Sequence, residues 1–313
     1  MKIITKAIMR EDQIRARTKL DVEGIEVYLK RPDLDRPEIS DLLKLCSDNF
    51  GVVNLETGDR VNDEDTPTDL LDFNSREYIE SVLSMRSKIP NAGLLVVHLA
   101  GNCQVLDSPY DALYRTQRKL ETLEASLNYI RKLDPENKII ALENTFPTDW
   151  MNEDTGKISF YTFGKIMSDF GDRIRTFDPG HSGITMYTLA NVKEVNDGYG
   201  TFYSEKFGSI PVYFGEEEAR IAELAKISLT DAVRKEVDTY KTLIANVHVN
   251  GSKGLLDGFG FSEGSDFEIF KVLEPLRGSN ANLVTETKER PTGDFLNSPN
   301  QKDAIRILKE YFF

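Results

Sequence analysis

Short apolar runs alternate with stretches of helical spacing from one end of the chain to the other. The runs are Ile3–Ile8, Gly24–Leu29, Gly51–Leu55, Gly93–Leu99, Ile139–Leu142, Arg173–Asp178, Leu243–His248 and Asn282–Glu286. Ile139, Ile140, Ala141 and Leu142 have no polar alternation, as a strand buried on both faces of a parallel sheet requires. Between the runs, Glu11–Leu20 reads as a short polar helix, and Pro37 opens a helix through Leu42, Leu43 and Cys46. Asn74 or Ser75 caps a helix running toward Lys88. The clearest amphipathic helix starts at Ser108-Pro109, repeats Leu113, Leu120, Leu123, Leu127 and Ile130, and stops at Asp134-Pro135. Helices are also expected over Ser159–Phe170, over Glu216–Leu243 with a break near Ser228-Leu229-Thr230, and over Phe267–Leu276. Ser298-Pro299 caps a last amphipathic helix through Ile305 and Leu308.

Eight strand–helix units of this kind mean parallel strands joined by crossover helices. An open doubly wound sheet is the alternative, but no G-x-G-x-x-G follows an early strand, and polar residues end strands four to eight. The expected fold is therefore an α/β, (β/α)8 TIM barrel forming a single domain over residues 1–313. A segment of about Thr185–Gly215, rich in glycine and aromatic residues, is expected as an insertion after strand six.

Composition narrows the function classes. The 313 residues are 40% hydrophobic and 29% charged, as in an ordinary globular chain, and a barrel of typically ~250 residues plus insertions fits the length. A net charge of −13 and a pI near 4.9 argue against nucleic acid as a partner. Two cysteines, Cys46 and Cys103, give no disulfide framework. No signal-peptide pattern opens the chain, and no 18-residue apolar run occurs. These features predict a soluble, cytoplasmic protein, with homo-oligomerisation left open.

Chemistry gathers where the strands end. All three histidines, His98, His181 and His248, stand at or just past an expected strand end, beside Glu143, Asp178 and Glu286. A carboxylate next to an apolar core must be paired or bound to a metal. Glu143, Asp178, His248 and Glu286 form a donor set of three carboxylates and one imidazole, harder than a structural zinc site. One divalent ion is expected, Mn2+ first, with Mg2+, Co2+ and Zn2+ compatible. Two glutamates flanking a metal-polarised carbonyl can move a proton as base and acid. His181 can bond a substrate oxygen or join a second metal. His98 can do either, or orient Glu143 from the neighbouring strand.

The motifs LENT (Leu142–Thr145), FDPGH (Phe177–His181), HVNGSK (His248–Lys253) and TETK (Thr285–Lys288) resemble those of the xylose isomerase-like TIM-barrel superfamily. That superfamily includes sugar isomerases and epimerases and endonuclease IV. The resemblance implies that Glu143, Asp178, His248 and Glu286 bind one divalent ion. It further implies that Glu143 and Glu286 exchange a proton through a cis-enediolate, and that His181 touches the substrate. It points to a metal-dependent isomerase or epimerase acting on a sugar or related polyhydroxy carbonyl compound. The alternative is an endonuclease IV-like phosphodiesterase or abasic-site endonuclease. The sequence departs from that trinuclear pattern: within VNLE only Asn54 and Glu56 are polar, and Asp257-Gly258-Phe259 stands for the later D-x-H.

Smaller features bear on the mouth of the barrel. Leu256–Gly264 is either a segment that closes over substrate or an ordinary long loop. The aromatic insertion is either a lid or a subunit contact. Lys253, just past the His248 strand, is a candidate substrate-binding cation, as are Lys288 and Arg290. The Glu216-Glu217-Glu218 run suits a helix N-terminus.

Overall fold

Eight strands, β1 (Lys2–Ile8), β2 (Gly24–Leu29), β3 (Val52–Thr57), β4 (Ala92–His98), β5 (Ile140–Glu143), β6 (Arg175–Phe177), β10 (Ile244–Val249) and β13 (Asn282–Thr285), close a barrel. Every neighbouring pair is parallel, and β1 closes the ring on β13, Ile3 standing opposite Leu283. The fold is thus the (β/α)8 TIM barrel expected from the alternation. The computed structural model describes residues 1–58, 70, 73–98, 125–144, 171, 173–196, 198–205, 208–289 and 293–313. Cys103, Arg290, the helix expected from Ser108 through Leu123 and the one expected over Ser159–Phe170 lie outside the described residues. A helical stretch over 125–133 carries Leu127 and Ile130 into the core. Among the described residues, no helix is long and apolar enough to cross a membrane.

Burial follows the apolar runs. All six residues of β3 are buried because the outer face meets helices and the inner face fills the barrel. Leu42, Leu43 and Cys46 of the helix Ile39–Asn49 pack with Tyr78, Ile79 and Val82 of the helix Phe73–Arg86 against β2, β3 and β4. The helices Leu229–Tyr240 and Pro299–Phe312 bury Val233, Val237, Ile305 and Leu308 against β10 and β13. Inside the barrel, Ile4, Val52 and Val284 form a small apolar cluster. Buried polar residues Glu26, Asn54, Glu56, Asn246 and His248 occupy further inner positions.

Two buried carboxylates fasten the chain around this barrel. Asp134, just past the 125–133 helix, accepts from the backbone N–H groups of Lys138, Ile139 and Ile140 at 2.9–3.1 Å. It also pairs with Arg173 at 3.0 Å, while Arg173 donates to the Asp134 carbonyl at 2.6 Å. One side chain therefore ties the entries of β5 and β6 together. Glu289 starts the last helix, accepting from the N–H groups of Asn300 (2.8 Å) and Gln301 (3.2 Å). This corrects the expected cap: Ser298 has positive φ and donates its hydroxyl to the Phe295 carbonyl instead.

The expected long helix after residue 216 breaks at Ser228 into Glu216–Ile227 and Leu229–Tyr240, with Ser228 capping the second through the Asp231 N–H. Glu218 in the acidic first turn accepts from the Gly215 N–H. The segment expected as an insertion divides. Thr185–Ala190 completes a helix, Pro179–Ala190, that the sequence pattern did not announce. Ten of its twelve residues are buried, so it has no polar face to set a 3.6-residue period. Beyond it, β7 (Lys193–Asn196), β8 (Tyr199–Ser204) and β9 (Gly208–Tyr213) form an antiparallel meander. Phe202, Ile210 and Val212 pack there on Leu189 and Ala222. Leu256–Gly264 is not loop throughout: β12 (Leu256–Phe259) pairs with β11 (Gly251–Lys253) in a hairpin next to His248.

Candidate metal centre

Strand ends of a closed barrel point into one mouth, so residues at those ends meet however far apart they lie in the chain. Glu143 ends β5, Asp178 follows β6, His248 is in β10 and Glu286 follows β13. One ligand atom from each lies within 4.8 Å of the others. His248 Nδ1 stands 3.0 Å from Glu143 Oε1, 2.8 Å from Glu286 Oε2 and 3.9 Å from Asp178 Oδ2. Glu143, Asp178 and His248 are essentially sealed, whereas the Glu286 side chain keeps 28% of its exposure, so the cluster opens on the Glu286 side.

Local structure fixes each donor. Asp178 caps the helix Pro179–Ala190, its Oδ1 accepting from the His181 N–H at 2.8 Å, which leaves Oδ2 to the mouth. Asn250 donates to that Oδ2 at 2.7 Å. Asn144 joins β5 to β6 twice, donating Nδ2 to the Asp178 carbonyl at 2.9 Å and accepting the Asp178 N–H at 2.7 Å. Gly180 of FDPGH is required by close approach: a Cβ there would sit 1.9 Å from Asn250 Oδ1 and 3.1 Å from Asp178 Oδ1.

The other two histidines flank the cluster. His181 Nδ1 lies 2.7 Å from the Asn144 carbonyl, which only accepts, so Nδ1 carries the proton. Its Nε2 faces Asp178 at 3.9 Å and Asp257 of β12 at 3.8 Å. His98 likewise donates Nδ1 to the Thr57 carbonyl at 2.9 Å. Its Nε2 faces Glu143 at 3.3 Å and Glu56 at 3.5 Å. Lys253 is held elsewhere, donating to the Glu263 carbonyl at 3.0 Å with its ammonium over the Phe259 ring. Lys288 pairs with Asp257 at 2.5 Å.

Three further charges, on β1, β2 and β3, complete the centre. Glu26 Oε1 stands 2.7 Å from His248 Nε2, and its Oε2 accepts from Asn246 (3.0 Å) and Asn54 (3.3 Å). Glu26 therefore accepts the Nε2 proton and turns Nδ1 toward the carboxylates, where it donates as part of the imidazolium and would offer its lone pair to a bound cation, as carboxylate–histidine–metal arrangements do. Lys6 Nζ lies 2.5 Å from Glu56 Oε2, 2.6 Å from Glu286 Oε1 and 4.0 Å from Glu26 Oε1. From sequence, Glu56 stood out only as a polar candidate, and Lys6 and Glu26 were missed. The signal was there: Lys6 and Glu26 are charges inside apolar strands and stand opposite each other in register.

Crowding five carboxylates into one buried volume divides their acidities. Burial, the largest influence, pushes Asp178 up to about 6 and Glu56 up to about 8. Burial opposes ionisation of Glu143 as well, but His248, His98 and His181 bring it down to about 2. Burial also opposes ionisation of Glu286, and Lys6 and His248 overcome it, holding the carboxyl well below the ordinary range. Burial disfavours the His248 imidazolium, yet Glu143, Glu26 and Glu286 keep its pKa well above 6.5. A set of converging carboxylates, two of them resisting ionisation, fits a divalent cation, whose charge would satisfy all of them at once. The mixture of three carboxylates and one imidazole suits an ion of intermediate hardness.

No protein-family model and no curated protein matches the chain. Solved structures do. A D-tagatose 3-epimerase-like protein matches with a TM-score of 0.60 at 15% identity, covering 99% of this chain and 97% of that one. D-psicose 3-epimerase from Clostridium cellulolyticum, with D-tagatose, matches at TM-score 0.54 and 11% identity over 100% and 99% of the two chains. A Thermus thermophilus protein soaked with ZnCl2 gives 0.51 at 16% identity over 99% and 98%. At such identities the likeness is one of fold. It is the fold the motif resemblance implied.

Proposed function

We propose that this protein is a divalent-metal-dependent epimerase or isomerase of a sugar or related polyhydroxy carbonyl compound. The observation that carries the reading is the meeting of Glu143, Asp178, His248 and Glu286, from four strands, around one point. Those four residues would hold the cation, Mn2+ first among the candidates. When bound, it would polarise a carbonyl and make the neighbouring C–H more acidic. Glu143 and Glu286 then act as the acid/base pair, one taking the proton from that carbon and the other returning one. Glu286, open to solvent, exchanges its proton more readily than sealed Glu143. His181, its Nδ1 proton fixed by Asn144, presents Nε2 toward the mouth to orient a substrate oxygen. His98 acts through Glu143, and Lys253 would meet the substrate only if released from the Glu263 carbonyl. Two of the similar folds are those of proteins named for 3-epimerisation of keto sugars, which supports the substrate class.

The test is Glu286→Gln assayed on D-tagatose and D-psicose. A turnover loss of at least ~100-fold is expected, with Mn2+ still taken up. Unimpaired turnover would defeat the assignment. A second reading, a metal-dependent phosphodiesterase, draws on the approach of Glu56, His98 and Glu143 to one another and of Asp257 to His181. Metal content separates the two: about one ion per chain supports the epimerase, and about three supports the phosphodiesterase.

A further inference from the structure

Lys6 is the feature of the centre that the proposed chemistry leaves without a task. Its ammonium is almost fully enclosed and reaches two carboxylates at once, Glu56 Oε2 at 2.5 Å and Glu286 Oε1 at 2.6 Å. At these distances the two carboxylates share the one ammonium between them. Glu286 is thereby divided: Oε1 faces Lys6 and Oε2 faces His248 Nδ1 at 2.8 Å, on the side of the four-residue cluster. Lys6 and Glu286 also line one cavity, together with Ile8, Tyr28, Lys288 and Phe295.

A lysine beside a metal ligand is ordinarily an antagonist of metal binding. An ammonium and a divalent cation sharing one carboxylate repel each other across it. The structure supplies a counterweight in Glu56, whose buried carboxylate stands as close to Lys6 as Glu286 does. We infer that Lys6 and Glu56 form a positioning pair for Glu286. Glu56 diverts the lysine's charge so that Lys6 steers one oxygen of Glu286 without neutralising the other, which stays available to the cation. This inference rests on the proposed metal site and adds to it a role for two residues on β1 and β3.

The experiment is a double-mutant cycle, run at about pH 8.5 where the Glu56 carboxyl is ionised, in which Mn2+ alone is titrated calorimetrically into wild type, Lys6→Met, Glu56→Gln and the double variant. With Lys6 present, Glu56→Gln leaves the lysine to Glu286 alone and is expected to weaken Mn2+ binding roughly tenfold. Lys6→Met is expected to tighten binding while lowering kcat, because Glu286 gains affinity and loses its orientation. In the Lys6→Met background, Glu56→Gln should then change affinity by less than about threefold, the residue of long-range attraction. Equal effects of Glu56→Gln in the two backgrounds would overturn the pair, since Glu56 would then act on the cation directly. So would a Glu56→Gln protein that binds Mn2+ like wild type. Lys6→Met strands buried charge and is the variant most exposed to misfolding. The double variant removes both partners together, and comparing it with Glu56→Gln still reads whether Lys6 opposes the cation. Asp178→Asn is the control for the site itself. If wild type takes up no Mn2+, or Asp178→Asn takes it up equally, the metal site falls. If uptake depends on Asp178 but not on the cycle, only the pair falls.

Discussion

Replacing Glu26 by glutamine tests how far the centre depends on residues that never face its open side. Glu26 has one oxygen on His248 Nε2 at 2.7 Å and the other between two amide donors, Asn246 at 3.0 Å and Asn54 at 3.3 Å. Glutamine has the same size but only one accepting atom. If its oxygen keeps the histidine, its NH2 meets two donors head on. Asn54 cannot simply turn over, because its own oxygen accepts the Leu94 N–H at 2.8 Å. If the oxygen instead stays with the asparagines, His248 Nε2 faces an NH2 and loses its acceptor. Either way at least one charge-assisted hydrogen bond is lost, each worth about 1.5–3 kcal/mol. At about 1.4 kcal/mol per decade, Mn2+ affinity should fall roughly ten- to hundredfold, within the range seen for outer partners of metal ligands. Calorimetric titration of wild type and Glu26→Gln with Mn2+ reads this directly. An unchanged Kd would show that His248 is oriented by packing alone, and the reasoning about Glu26 would fail.

Other outcomes follow from features away from the open mouth. Asp134→Ala removes the acceptor for three backbone N–H groups and strands buried Arg173, so unfolding free energy should drop by about 3–5 kcal/mol in a urea titration. Glu289→Ala removes the N-cap of the last helix and should cost about 1–2 kcal/mol, with faster amide exchange at Asn300 and Gln301. In the metal-free protein, Asp178 (about 6) and Glu56 (about 8) bind more protons folded than unfolded, so their contribution to stability falls as pH rises toward 9. His248, raised in the fold, acts in the same direction. The lowered carboxylates Glu26, Glu143, Glu286 and Asp134 contribute stability present above about pH 4.3 and lost as pH falls below it. The thermal midpoint should therefore peak between about pH 5 and 6 and decline on the alkaline side, and saturating Mn2+ should flatten that decline.

The sequence made the barrel legible because a parallel strand sealed on both faces leaves an unbroken apolar run, and eight such runs are hard to arrange otherwise. Gly24–Leu29 was bounded to the residue, and the others to within about two residues, the usual uncertainty of element ends. The inner residues of the site were legible because each ends a strand. Lys6 and Glu26 escaped for the converse reason: they sit within strands, where a single charge reads as surface alternation until its partner across the ladder is known. The helix after Asp178 escaped because burial on all sides erases the amphipathic signal. Glu289 escaped because its capping partners lie eleven and twelve residues away, while Ser298 stood where a cap is ordinarily sought.

Asn144 has a consequence beyond its two hydrogen bonds to Asp178. Its carboxamide offers the backbone of the next strand one donor and one acceptor, as another peptide group would, and so adds a side-chain rung to the ladder just past β5. The spacing of Glu143 and Asp178 is then set below the point where the chain departs into connecting segments. Insertions or rewiring in those segments can reshape what enters the mouth while the two carboxylates keep their places. Aspartate at 144 could not serve as that rung: it brings no N–H for the Asp178 carbonyl and adds a negative charge beside it.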